Sequence, residues 1–137
     1  MPEPPSVLSP VSEAVTSGIR VEVIARHTPE HSQPMQGKWV FQYTVRITNE
    51  SAETVQLVSR HWIITDAMEH TESVIGPGVV GKQPVLAPGE SFKYSSWCPL
   101  KTPTGKMHGT YQITRTTGDQ FDIVIAPFAL RAPYTVH

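Results

Sequence analysis

Hydrophobic residues recur at every second position along most of this chain. Ile19, Val21 and Val23 alternate with Arg20 and Glu22. Trp39, Phe41, Tyr43, Val45 and Ile47 alternate with Gln42, Thr44, Arg46 and Thr48. Successive side chains of a strand point to opposite faces, so this spacing predicts half-buried strands with one face on a core. After the turn residues Asn49-Glu50-Ser51, Val55 and Leu57 stay on odd positions, but Arg60, Trp62 and Ile64 fall on even ones. A change of parity needs an extra residue, which predicts a bulge or a crossing between sheets near Val58-Ser59. Shorter strands are predicted at Glu72 to Ile75 and around Phe92 and Tyr94, Tyr111 and Ile113, and Phe121, Ile123 and Ile125. Turns at Ala87-Pro88-Gly89-Glu90 and Thr117-Gly118-Asp119 separate some of them. No stretch keeps a helical period. Seven or eight strands at this spacing predict an all-β protein, a β-sandwich.

Composition narrows the organisation. A chain of 137 residues with 39% hydrophobic content suits a single core, and its 13 prolines and nine glycines punctuate the short apolar runs. Met1 to Ser17, which holds Pro2, Pro4, Pro5 and Pro10 and lacks a buriable pattern, is expected to be a flexible tail. The domain is expected over residues 18–130, with a second tail at 131–137. A formal charge of −1 gives no polycationic surface, which disfavours nucleic acid as a partner. The single cysteine, Cys98, excludes an internal disulfide framework and fits a reducing compartment. No apolar run is long enough to span a membrane, and no positive charge or apolar leader marks the start of the chain, so the expected location is the cytoplasm.

One segment invites a stronger reading. Gly76, Gly78 and Gly81 in Gly76-Pro77-Gly78-Val79-Val80-Gly81-Lys82-Gln83-Pro84 match the G-x-G-x-x-G spacing of dinucleotide-binding folds. That chemistry requires a helix to open directly after the glycines, with its N-terminus facing a pyrophosphate. Val79-Val80 is β-branched, and Pro84, Pro88 and Gly89 follow too soon for a helix. The glycines therefore read first as a turn: Gly76 and Gly78 for positive φ, Gly81 for close approach of strands. A backbone nest for a phosphate or carboxylate, with Lys82 adding charge, is the alternative.

Taken in order, Arg60-His61-Trp62-Ile63-Ile64-Thr65-Asp66, then Gly76-x-Gly-Val-Val-Gly-x-Gln-Pro84, then Leu86-x-Pro-Gly-Glu90, then Gly105-x-Met107-x-Gly109-x-Tyr111 resemble the ApaG family over about residues 18–130. The resemblance implies an immunoglobulin- or fibronectin-III-like sandwich of two antiparallel sheets. Members occur as small bacterial proteins and as appended domains of eukaryotic F-box proteins and a polymerase-delta-interacting protein, where they are proposed to bind proteins. Bacterial members are linked to cobalt tolerance and magnesium efflux. Two segments depart from the family pattern, Ala67-Met68-Glu69-His70 and Trp97-Cys98-Pro99, and both are expected to be loops.

Catalytic and metal chemistry are weakly signalled. Of His27, His31, His61, His70, His108 and His137, only the first two are closely spaced, and Thr28-Pro29 between them prevents a helical pair. Ser95 and Ser96 lack a nucleophile elbow, and Cys98 beside Pro99 has no base near it in sequence. In an alternating strand Arg60 shares a face with Trp62, which is expected in the core, while His61 takes the other. The expectation is a non-catalytic binding module with no cofactor and no metal. Its candidate binding residues are Arg60, Gly76, Gly78, Gly81, Lys82, Gln83 and Lys106, the last in a turn at Gly105-Lys106-Met107. Protein partners are expected, with a small anionic ligand or a homodimer as alternatives and no membrane. Two other functions stay open: a sensor of a phosphate-bearing small molecule, and an enzyme acting on nucleotides, suggested by the glycine motif and by the family's genetic neighbourhood with a diadenosine tetraphosphatase.

Overall fold

The period-two pattern folds as two antiparallel sheets in the computed structural model, which describes residues 11–133. Strands β1 (Ser12–Thr16), β2 (Ile19–His27), β3 (Trp39–Asn49) and β7 (Ser91–Leu100) form the first sheet in the order β1-β2-β3-β7. The second has β5 (Thr71–Pro77), β4 (Val55–Asp66), β8 (Thr104–Arg115) and β9 (Gln120–Arg131) in that order. The two-residue β6 (Val85–Leu86) pairs with the start of β4. Since β8 runs along the whole of β4, β5 and β6 share its other edge. Helix among the described residues is limited to single 3-10 turns at Pro29–His31 and Pro34–Gln36, neither able to cross a membrane.

The inward residues of the two sheets make one core. Phe41, Val45 and Ile47 of β3 face it, as the alternation predicts, and Trp39 at the strand's start is only half-buried. Trp62 stands at its centre, edge-on to Tyr43 of the opposite sheet at 5.2 Å and to Phe128 at 6.0 Å. The Tyr94 and Tyr111 hydroxyls hydrogen-bond across the two sheets. The predicted parity change is a bulge: Leu57 faces Ile113, but Ser59 already faces Gln112, so Val58 is the extra residue. A second bulge lies on β9, where Ala126 and Pro127 together face His108, and the inward residues change parity there from Ile123 and Ile125 to Phe128 and Leu130. Asn49, fully buried, organises the passage between sheets by donating to the Glu53 and Leu86 carbonyls and accepting from the Ser51 amide and hydroxyl.

Three expectations need correction. Residues Ser12–Thr16, placed in the N-terminal tail, form β1, and Thr16 Oγ1 accepts a hydrogen bond from the Val124 amide of β9, capping that sheet edge. Its small or polar inward residues, Ser12, Ala14 and Thr16, hide the strand from an apolar pattern search. Trp97-Cys98-Pro99 lies inside β7, with Cys98 inward and Trp97 outward, whereas Ala67–His70 is the turn expected. Arg131 still belongs to β9, so the domain runs past residue 130. Met1–Pro10 and Tyr134–His137, the rest of the expected tails, lie outside the described residues.

Candidate functional site

The glycine segment is the break in the sheet edge between β5 and β6, and it docks on the bulge of β4. Val58, the extra residue, offers its carbonyl to the Gly78 amide at 2.8 Å and to Gln83 Nε2 at 2.8 Å. Val79, buried, and Lys82 exchange two backbone hydrogen bonds, leaving Val80 and Gly81 as a two-residue loop. Their φ values of 42° and 81° are the signature of a type I′ turn. Gly81 is suited to that turn; Val80 is not. A β-branched residue at positive φ is an outlier, and this one is 54% exposed, so burial does not explain it.

Arg60 clamps the segment from inside. Its Nη1 donates to the carbonyls of Pro77 at 2.9 Å and Gly78 at 2.8 Å, and the guanidinium lies over Gly76, where a Cβ would meet it at 3.1 Å. Gly78 has φ 58°, and a Cβ there would stand 2.2 Å from the Lys82 carbonyl oxygen. The roles expected of Gly76 and Gly81 are thus exchanged: Gly76 makes room for a side chain, and Gly81 supplies positive φ with nothing near it. Arg60, Gly76, Gly78, Gly81 and Gln83 do come together, as structural parts of one turn. Lys82 is exposed at its end. Lys106 is elsewhere: it lies within β8, not in a turn, opposite Thr65 at the far end of β4.

Behind the clamp is an opening that the glycine motif does not reveal. The sandwich is closed on one side, where β1 lies against β9, and open on the other, between edge strands β5 and β7. A cleft of about 290 Å³ lies there, lined by Tyr43, Arg60, Trp62, Ile64, Glu72, Val74, Ser96, Trp97, Cys98, Pro99 and Met107. Arg60 and Glu72 line it without pairing, and neither forms an ion pair among the described residues. Burial raises the phenols of Tyr43, Tyr94 and Tyr111, while the Arg60 charge pulls in the opposite direction on all three. Burial, helped by Glu72, pushes the Cys98 thiol up to about 12. The alternation of β4 does place Arg60 inward with Trp62; the width of the gap depends on pairing between distant strands, which alternation does not encode.

The other candidate groups have structural partners or none. Ser95 Oγ bonds to Thr44 Oγ1 at 2.7 Å, His27 Nε2 to Ser32 Oγ at 3.1 Å, and His31 packs edge-on to Trp97 at 4.7 Å. His70 lies 3.4 Å from Asp66 in the turn after β4. Among the described residues, no three of His, Cys, Asp and Glu gather as metal ligands would.

A family model described as the ApaG domain matches residues 29–115. The chain belongs to the ApaG domain family. The Protein ApaG of Anaeromyxobacter dehalogenans (strain 2CP-C) is 53% identical over 123 residues, spanning 90% of this chain and 97% of that protein. The Protein ApaG of Bordetella pertussis is 52% identical over 119 residues, spanning 87% and 91%. A crystal structure of a Bordetella pertussis protein, solved under the name ApaA, superposes with a TM-score of 0.82 at 52% identity, covering 85% of this chain and 95% of that one. The frame that carries the ApaG turn and cleft is therefore also that of a crystallised relative.

Proposed function

We propose that this ApaG-domain chain is a non-catalytic protein-interaction module whose recognition surface is the β5–turn–β6 edge. The observation that carries this reading is Val80, an exposed apolar side chain held at φ 42° on the turn tip. Strain kept where burial does not need it points to a side chain required for contact. Ile75 and Val85, 73% and 58% exposed, stand on the same sheet edge to either side of it. The amides of Gly78, Val79 and Lys82 are engaged by backbone carbonyls, which counts against the turn as a phosphate nest. A thiol held protonated by burial and a Ser95 hydroxyl bonded to Thr44 count against nucleophilic catalysis.

The frame is taken as the immunoglobulin- or fibronectin-III-like type that family resemblance implies, and the location as the cytoplasm, which suits a lone buried thiol. The family's link to cobalt and magnesium is assigned to the partner, not to a metal on this chain. Affinity capture from the host with wild type and Val80→Asp tests the surface: specific partners should be lost with the variant while its thermal unfolding stays cooperative. Equal capture would remove Val80 from the interface. Titration calorimetry with ATP and with NAD should show no saturable binding. One-to-one binding in the low micromolar range, about −8 kcal/mol, would revive the sensor reading.

A further inference from the structure

Resting on that reading, we infer that the partner supplies an extended segment that adds as a strand to the free edge of β5 and fills the cleft between β5 and β7. Alternate residues of an antiparallel edge strand point their N–H and C=O groups away from the sheet, so β5, which pairs only with β4 among the described residues, offers a row of outward backbone groups. Of the two strands flanking the opening, β7 carries Pro99 within its run, which removes a donor, whereas β5 has no proline before its last residue, Pro77. The β1 edge, on the other side of the molecule, is covered by its contact with β9.

The side chains along the inner face of this edge specify the segment. Glu72, Val74 and Gly76 alternate inward from β5, and Arg60 of β4 fills the space over Gly76. The cleft therefore has a negative end, an apolar middle and a positive end. A strand added antiparallel to β5 sets its residues opposite these, two apart, on the same face. Read from its N-terminus, the complementary segment is acidic-x-apolar-x-basic, with the acid toward Arg60 and the base toward Glu72. An inward carboxylate on an edge strand has another use, discouraging promiscuous pairing, and that alone would account for Glu72. Arg60, one strand deeper, gives Nη1 to the Pro77 and Gly78 carbonyls, but its charge lines the cleft and has no ion-pair partner among the described residues.

The probe is an acetylated, fluorescein-labelled peptide, Thr-Glu-Thr-Val-Thr-Lys-Thr, followed by anisotropy against the full chain. Controls are a neutral peptide with Gln in place of both charges and one with the two charges exchanged. The first peptide should bind at least about ten-fold more tightly than the neutral one, and the preference should weaken with salt. Glu72→Lys, an exposed change whose fold is checked by circular dichroism, should weaken it by about ten-fold, and replacing the peptide lysine by glutamate should restore binding. Equal binding of charged and neutral peptides, or indifference to Glu72→Lys, overturns the inference. Tighter binding of the exchanged peptide overturns the antiparallel register. Failure of all three peptides, with partner capture still lost in Val80→Asp, overturns strand addition alone; capture unaffected by Val80→Asp removes the underlying surface.

Discussion

Replacing Val80 by asparagine should make the protein more stable. Val80 occupies the first central position of a two-residue turn, at φ 42°, with Gly81 following at 81°. Left-handed backbone costs an ordinary L-residue roughly 1–2 kcal/mol, and a β-branched side chain is the least suited to it. Asn-Gly is the preferred pair for this turn because Asn tolerates the left-handed region. The opposing loss is small: Val80 is 54% exposed, so the apolar contact given up is worth under about 1 kcal/mol. The net expectation is a gain of about 1 kcal/mol in urea unfolding at unchanged m-value, or about 4 °C in melting temperature for a chain of this size. A loss of stability would show that the Val80 methyl groups contribute more to folding than the backbone strain removes. That result would also dissolve the case that the strain is retained for contact.

Other substitutions probe the frame of the site. Gly78→Ala should cost at least ~2 kcal/mol in chemical denaturation, since it adds a clash with the Lys82 carbonyl to an unfavourable φ; a cost under about 0.5 kcal/mol would mean the turn relaxes freely. Phe41→Ala should lose roughly 3–5 kcal/mol and Trp39→Ala less, because only Phe41 is fully inside; the reverse order would misplace the face of β3. Deleting Met1–Ser17 should lower the melting temperature by several degrees, since it removes β1 from both β2 and the β9 edge; an unchanged value would make β1 dispensable. Raised folded values for Cys98 and for Tyr43, Tyr94 and Tyr111 mean that protonated groups favour the fold. Their stabilisation is complete below the ordinary thiol and phenol values of 9.0 and 10.0 and is lost as pH rises past them, so melting temperature should fall steadily above pH 9. A flat profile to pH 11 would contradict that burial.

Most of the frame was legible because burial on one face imposes a period of two wherever the inward residues are large and apolar. The parity change at Val58 located the bulge for the same reason: Leu57 and Trp62 must both face inward. What escaped were features carried by small or polar residues. β1 buries Ser12 and half-buries Ala14, and the passage at Asn49 is held by amide hydrogen bonds. The turn was recognised as a turn, but its glycines were told apart only by their neighbours in space, Arg60 over Gly76 and Lys82 against Gly78. Gly105 beside Lys106 has the look of a turn residue in sequence, but its small size instead lets β8 pass close to Leu100 and Thr65. The cleft could not be foreseen, because β5 and β7 approach only through the packing of two sheets.

The most direct test places a photo-crosslinking amino acid at position 75, 80 or 46 in the native host. Position 75 is on the β5 edge, position 80 is the turn tip, and position 46 is an exposed site on the outer face of the first sheet. Irradiation should give a discrete protein adduct from positions 75 and 80 and none from 46. An adduct from 46 alone, or none from any of the three, would contradict a recognition surface on the β5–turn–β6 edge.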